Sequence, residues 1–187
     1  MRQITTFILT FTAYITFGQT IPDAIAIKNC KIEIYLVEKG KNDSTKECRY
    51  CFWPTVKDLA DSAFIKDNEI VGYEITNDQH YLLLSKSALQ RLRMLNKSSS
   101  SSASFTTRSF AVVINGEPIY GGWFRNGYLD TPVDWIVIPT PFDKDSTGKL
   151  SINKGYMFGK ISDKYGDPRN NTLLMDCLKK SNRLKSN

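Results

Sequence analysis

Histidine is nearly missing from this chain: 187 residues carry one, His80. Triad chemistry of the Ser-His-Asp or Cys-His kind has to route through that residue. It stands in NDQHYLLL, at the head of an apolar run, and reads as a strand-edge residue rather than a base. Several enzyme signatures are missing as well. There is no GxSxG, HExxH, GxGxxG or GxxxxGK[ST], which removes the common serine-hydrolase, zinc-protease and nucleotide-phosphate readings. No apolar run beyond the N-terminus reaches membrane-spanning length.

Acidic residues are in deficit. Nineteen Asp and Glu face twenty-five Lys and Arg, for a formal charge of +6. The basic residues are dispersed except near the end, at Lys179, Lys180, Arg183 and Lys185. Such a tail can touch anionic lipid or nucleic acid. Here residues 179–187 are predicted to be a solvated terminus, and no nucleic-acid partner is expected.

The N-terminus is where apolar residues gather. In MRQITTFILTFTAYITFGQTIPDAIA, Arg2 supplies a positive start and Ile4 to Phe17 carries no charge. The run is short for a bilayer span and polar residues follow it, which is the pattern of a secretory signal peptide. Residues 1–19 are predicted to be that signal, with cleavage as late as 26. No transmembrane segment is then expected in the product. Residues 27–187 remain, about 160 in all, which suits a single domain. The expected location is secreted or periplasmic.

Four cysteines lie in that domain: Cys30, Cys48, Cys51 and Cys177. An even number in a secreted chain points to disulfides. Pairing Cys30 with Cys177 would tie the ends together and let Cys48 close on Cys51; the alternative gives each of the CxxC pair a distant partner. A redox pair would need a helix N-terminus to lower a thiol pKa. Phe52-Trp53-Pro54 follows the pair and a loop-like KGKNDSTKE precedes it, so that context is missing. Zinc would need Cys30 and Cys177 as further ligands, whereas structural zinc sites show two close pairs. No metal or cofactor is expected. The stretch DKDSTG (143–148) resembles half a calcium loop, but Lys154 stands where the closing carboxylate belongs, so it reads as a turn.

Periodicity outlines the elements. KIEIYLVEKG (31–40) alternates as a strand, with Ile32, Ile34 and Leu36 on one side. TVKDLADSAF (55–64) suggests a short helix with Val56, Leu59 and Ala60 inward. IVGYEITNDQHYLLLS (70–85) reads as two strands around a turn at Thr76–Gln79. Ser85 caps a helix over 86–96, with Ala88, Leu92 and Leu95 on one stripe and Leu89 beside it. The serine-rich stretch 97–109 is a flexible connection. WIVIPTPF (135–142) and KLSINKGYMFGK (149–160) are strand partners, and 171–180 is a C-terminal helix.

The stretch SFAVVINGEPIYGGWF (109–124) is a hairpin. Asn115-Gly116 supplies the positive φ angles of a tight turn. Pro118 removes one donor, so its strand is paired on one side there. Gly121-Gly122 marks a bulge or a close backbone approach. Trp123 and Phe124 read first as core. The aromatic end of this strand, Tyr120, Trp123, Phe124 and Tyr128 with Arg125, is the candidate binding surface.

The order of these elements, KIEIYLV, FIKDNEIVGYEI, YLLLS, SKSALQRLRML and FAVVINGEPIY, resembles the head region of the first periplasmic domain of SecD-type protein-export subunits. The likeness covers residues 32–124. It implies a ferredoxin-like α+β sandwich, an antiparallel sheet with helices on one face, to which this chain adds a C-terminal hairpin and helix. It implies no cofactor, and fold likeness does not transfer the export role.

Three functions are weighed. The first is a non-catalytic binding module for a protein or peptide, whose sheet edge takes a strand. The second is a thiol–disulfide redox protein using Cys48 and Cys51. The third is a hydrolase acting through carboxylates such as Glu117, Asp130 and Asp134. Asn42, Asn96 and Asn170 stand in glycosylation-acceptor tripeptides.

Overall fold

The computed structural model describes residues 30–37, 48–97, 108–125, 132–140, 148–157, 159, 161 and 163–186. The predicted signal segment, Asn42, the serine run 98–107, Tyr128, Asp130 and positions 143–147 of the calcium-like turn lie outside the described residues.

Among the described residues, eight strands and two α-helices make a mixed α+β fold. The strands are β1 (Ile32–Leu36), β2 (Ile70–Thr76), β3 (Gln79–Leu84), β4 (Arg108–Ile114), β5 (Glu117–Arg125), β6 (Val133–Pro139), β7 (Lys149–Tyr156) and β8 (Leu184–Ser186). The helices are α1 (Lys86–Lys97) and α2 (Thr172–Lys180). One sheet runs in the order β1-β4-β5-β6-β7-β3-β2-β8.

Two turns fold as their residues dictate. Asn115 and Gly116 take φ of 52° and 91°, and Asn77 and Asp78 take 47° and 61°, so both hairpins close on two left-handed residues. The Ser85 side chain accepts the Ala88 amide at 3.3 Å and starts α1, which buries Ala88, Leu89 and Leu92. Pro118 pairs with Val113 on β4 only, and Ile119 is the extra residue between the Val112–Tyr120 and Val113–Pro118 pairs.

The sheet departs from the expected antiparallel, ferredoxin-like one. β5 runs parallel to β6, and β2 runs parallel to β8. β7 also changes partner along its length. Lys149 to Ile152 pair with β3, and Asn153 to Tyr156 face β6. Side chains from β1 through β7 then meet α2 around one apolar cavity of about 20 Å³. Ile32, Tyr73, Leu82, Val112, Tyr120, Ile138, Ile152, Leu174 and Leu178 are among its walls. The sheet therefore curls around α2.

Three further expectations need correction. Residues 55–64 are not a helix. Thr55 and Asp58 cap a single 3-10 turn over Val56–Asp58, and the backbone then extends to bridge β1 at Leu59–Val37 and Ile65–Ile34. Val56 points outward as a result. The basic tail is not a frayed end, because residues 184–186 form β8. Arg183 holds it, with its guanidinium 2.8 Å from the Asp67 carboxylate and donating to the Asp67 and Cys30 carbonyls. His80 is not at a strand edge, since β3 lies between β2 and β7, and the ring is buried.

Candidate functional site

Alternation along β4 and β5 gives the sheet two unlike faces. Phe110, Val112 and Ile114 on β4, with Tyr120 and Phe124 on β5, belong to the concave side that α2 fills. Gly121 and Trp123 point the other way, where residues 48–53 lie across them. Among the described residues, this second face presents the best-organised surface.

Cys48 and Cys51 are joined, with Cα atoms 5.6 Å apart, and the intervening Arg49 and Tyr50 form a tight loop. Asp134 on β6 fixes the loop. Its carboxylate accepts the Arg49 amide at 2.8 Å and the Tyr50 amide at 3.0 Å. Its carbonyl oxygen lies 3.4 Å from the Cys48 sulfur. The Trp123 indole N–H donates to the Tyr50 carbonyl at 2.8 Å. The backbone groups of the loop are thereby satisfied without regular secondary structure.

Aromatic rings fill the space beneath. Phe52 stands edge-on to Trp123 at 5.2 Å and lies directly over Gly121, where an added Cβ would come within 2.5 Å of its ring. Only glycine leaves that space. Trp53 meets Trp135 at 5.1 Å, and Trp135 meets Tyr165 at 6.0 Å, both edge-on as aromatic quadrupoles favour. Trp135 is fully buried and donates its indole N–H to the Gly121 carbonyl at 2.9 Å. Trp53, by contrast, is 44% exposed. The Arg49 guanidinium stands 5.6 Å from the Tyr50 ring centre. Arg49, Tyr50, Pro132, Asp134 and Gly159 line a groove of about 270 Å³.

The candidate residues read from the sequence are placed as follows. Tyr120, Phe124 and Arg125 are buried, and Trp123 is half-buried under Tyr50 and Phe52. The aromatic end of β5 is therefore wall, not surface, because both sheet faces are covered at that point. Among the described residues, the exposed aromatic of the region is Trp53, and the signal for it was the FW pair directly after the CxxC. Glu117 sits exposed at the hairpin opposite Ile114, and Asp134 uses both carboxylate oxygens on backbone amides. Cys30 and Cys177 are joined, with Cα atoms 5.3 Å apart. Among the described residues, no three His, Cys, Asp or Glu groups gather as metal ligands would.

The CxxC lacks the surroundings of a reactive thiol. Cys48 is 0% and Cys51 2% exposed, and residues 51–55 are not helical. A depressed thiol pKa wants a helix N-terminus and access for the attacking partner. Among the described residues, no helix is long and apolar enough to cross a membrane. Comparison with family models, with curated proteins and with solved structures found no match.

Proposed function

We propose that this chain is a non-catalytic interaction module that works in a disulfide-forming compartment and binds a protein or peptide through Arg49, Tyr50 and Trp53. The observation that carries this reading is the exposure of Trp53, 44%, while its ring is braced against buried Trp135. An exposed indole backed by a buried ring offers a partner a large amphipathic contact area. Tryptophan, tyrosine and arginine are the residues that anchor interfaces most often. Here a disulfide and the Asp134 clamp fix the loop in advance, so little conformational freedom is lost on binding.

The two disulfides and the signal-like N-terminal sequence support this compartment. Removal of residues 1–19, or as far as 26, belongs to this proposal. So does the SecD-like, ferredoxin-like resemblance of residues 32–124, which rests on the order of sequence elements. The redox alternative is opposed by the burial of both CxxC sulfurs.

The test is selection of a random displayed-peptide library on the immobilised, fully oxidised protein. Selected peptides are expected to bind at least about tenfold more weakly to Trp53→Ala, a loss of about 1.4 kcal/mol. The variant should keep its unfolding temperature within a few degrees of the parent. Equal binding to both proteins, or no enrichment, would remove this surface from consideration.

A further inference from the structure

The solitary histidine is buried inside the sheet. His80 is 2% exposed, and its Nδ1 lies 2.9 Å from the Tyr73 hydroxyl on the neighbouring strand. Across the other edge of β3 it is in register with Ile152 of β7. The Ile152 carbonyl accepts a hydrogen bond at 2.8 Å from the guanidinium of Arg169. Arg169 is itself buried, at 5% exposure, and its guanidinium also grips the Asp167 carboxylate at 2.6 Å.

Arg169 belongs to the 3-10 turn Pro168–Asn170, which leads directly into α2. Asn171 accepts the Leu174 amide at 3.2 Å and starts the helix. Leu174 and Leu178 then close the central cavity. The turn that seats α2 is thus pinned to β7 at the residue beside the imidazole.

We propose that His80 is an acid-sensitive latch: protonating its buried ring sets a second cation against Arg169 and loosens residues 167–180 from the curled sheet. The titratable and charged groups that face the ring are Tyr73 from β2, Asp78 from the hairpin turn, and Asp167 and Arg169 from the segment before α2. Burial, then Arg169, push the His80 pKa below its ordinary value, while Asp167 and Asp78 pull it up less strongly. Burial keeps the Tyr73 phenol protonated. A neutral imidazole can accept at Nδ1 from that phenol. A protonated ring donates from both nitrogens and forces the hydroxyl to accept instead.

The sign follows from linkage. The folded-state pKa of His80 is depressed, so the unfolded or undocked state binds the extra proton more readily. Stability is full above the ordinary histidine pKa of about 6.5 and falls as pH drops below it, levelling once the folded-state pKa is passed. The disulfide at Cys177 keeps the loosened helix tethered, so the change is local and reversible.

Because the chain has a single histidine, one imidazole resonance reports the titration. We would titrate the oxidised protein by NMR from pH 8 to pH 4.5 and measure hydrogen exchange in α2 and in β4, corrected for intrinsic rates. The imidazole is expected to titrate below about 6.5. Protection of the α2 amides is expected to fall by up to about tenfold per pH unit in that window, while β4 keeps its protection. His80→Gln should abolish the pH dependence in α2. An imidazole that titrates at or above the ordinary value overturns the latch. Equal loss in α2 and β4 does so too, as does an unchanged α2 response in a folded His80→Gln. The wild-type titration decides the matter even if that variant does not fold.

Discussion

The two faces of the sheet are closed by opposite means. On the concave face, mostly aliphatic side chains, with Tyr73 and Tyr120 among them, reach from seven strands to surround Leu174 and Leu178, and the Cys30–Cys177 bond holds that lid. On the other face, a few large rings lie under a four-residue loop, and the Cys48–Cys51 bond holds only itself. The first crosslink spans 147 residues and the second spans three. Aliphatic groups contribute by area alone and tolerate many arrangements. Indole rings add directed hydrogen bonds, from Trp123 to Tyr50 and from Trp135 to Gly121, so their positions are set individually. The concave side is therefore closed mainly by undirected apolar packing, and the other side by a loop whose rings are placed by individual hydrogen bonds.

The strongest way to break this comparison is to cut the two crosslinks separately. In the chain-entropy account, a bond closing a loop of this length adds about 5 kcal/mol, and one closing four residues about 2 kcal/mol. Replacing Cys30 and Cys177 together by alanine should lower the urea midpoint far more than replacing Cys48 and Cys51. Equal losses would show that the small loop shapes the folded state beyond its effect on the unfolded chain.

Next in size is a pair of tryptophans. Trp135→Ala removes a fully buried ring and the donor to Gly121, and should cost about 3–5 kcal/mol. Trp53→Ala removes an exposed neighbour and should cost about 1 kcal/mol or less. Denaturant unfolding of both variants measures the contrast. A large loss at Trp53 would make it structural and withdraw it as a contact residue.

A third substitution probes how tightly the aromatic face is built. Gly121→Ala drives a methyl group into the Phe52 ring, and overpacking of this kind costs about 1–3 kcal/mol. Phe52 must tilt to make room, which moves the loop on which Arg49 and Tyr50 stand. The variant should lose stability and disturb the Trp123 fluorescence together. A stability loss with unaltered fluorescence would mean that the sheet yields and the loop does not.

These features differ in how far they could be read from the chain. The two hairpins were legible because Asn77-Asp78 and Asn115-Gly116 carry their geometry locally. Helix α1 was legible from its apolar stripe and Ser85. The parallel pairings of β5 with β6 and of β2 with β8 were not, since nothing in a strand's own residues names a distant partner. Residues 55–64 have the apolar spacing of a helix, yet β1 offered a row of unpaired backbone groups that drew them into extended bridges. The aromatic face was half legible. Trp123 stood out, but its cover of Tyr50 and Phe52 lies more than seventy positions away, and burial turned the expected surface into a wall. His80 shows the same limit: Tyr73 is its hairpin neighbour, whereas Arg169 arrives from the far end of the chain.

The smallest effect expected lies at the margin of the helical side. Glu69 accepts from the Arg91 guanidinium on α1, from the Ser87 hydroxyl at 2.8 Å and from the Lys66 amide at 3.0 Å. These bonds, Arg91 first, hold its carboxylate pKa down to about 2 despite partial burial. A depressed carboxylate stabilises the fold above its unfolded value, near 4.5, and that contribution drains away as pH falls toward about 2. Arg91 is substantially exposed, so solvent screens the pair and Glu69→Gln should cost about 1 kcal/mol at neutral pH. The variant and the parent should converge in stability as pH falls toward about 2, which acid titration of the urea midpoint would show. The Glu69 effect sets in near 4.5 and the His80 effect near about 6.5, so the onsets of the two acid effects differ along the pH axis. A gap that persisted at pH 2 would mean that Glu69 matters through its shape and its neutral hydrogen bonds, and that the ion pair adds nothing to holding α1.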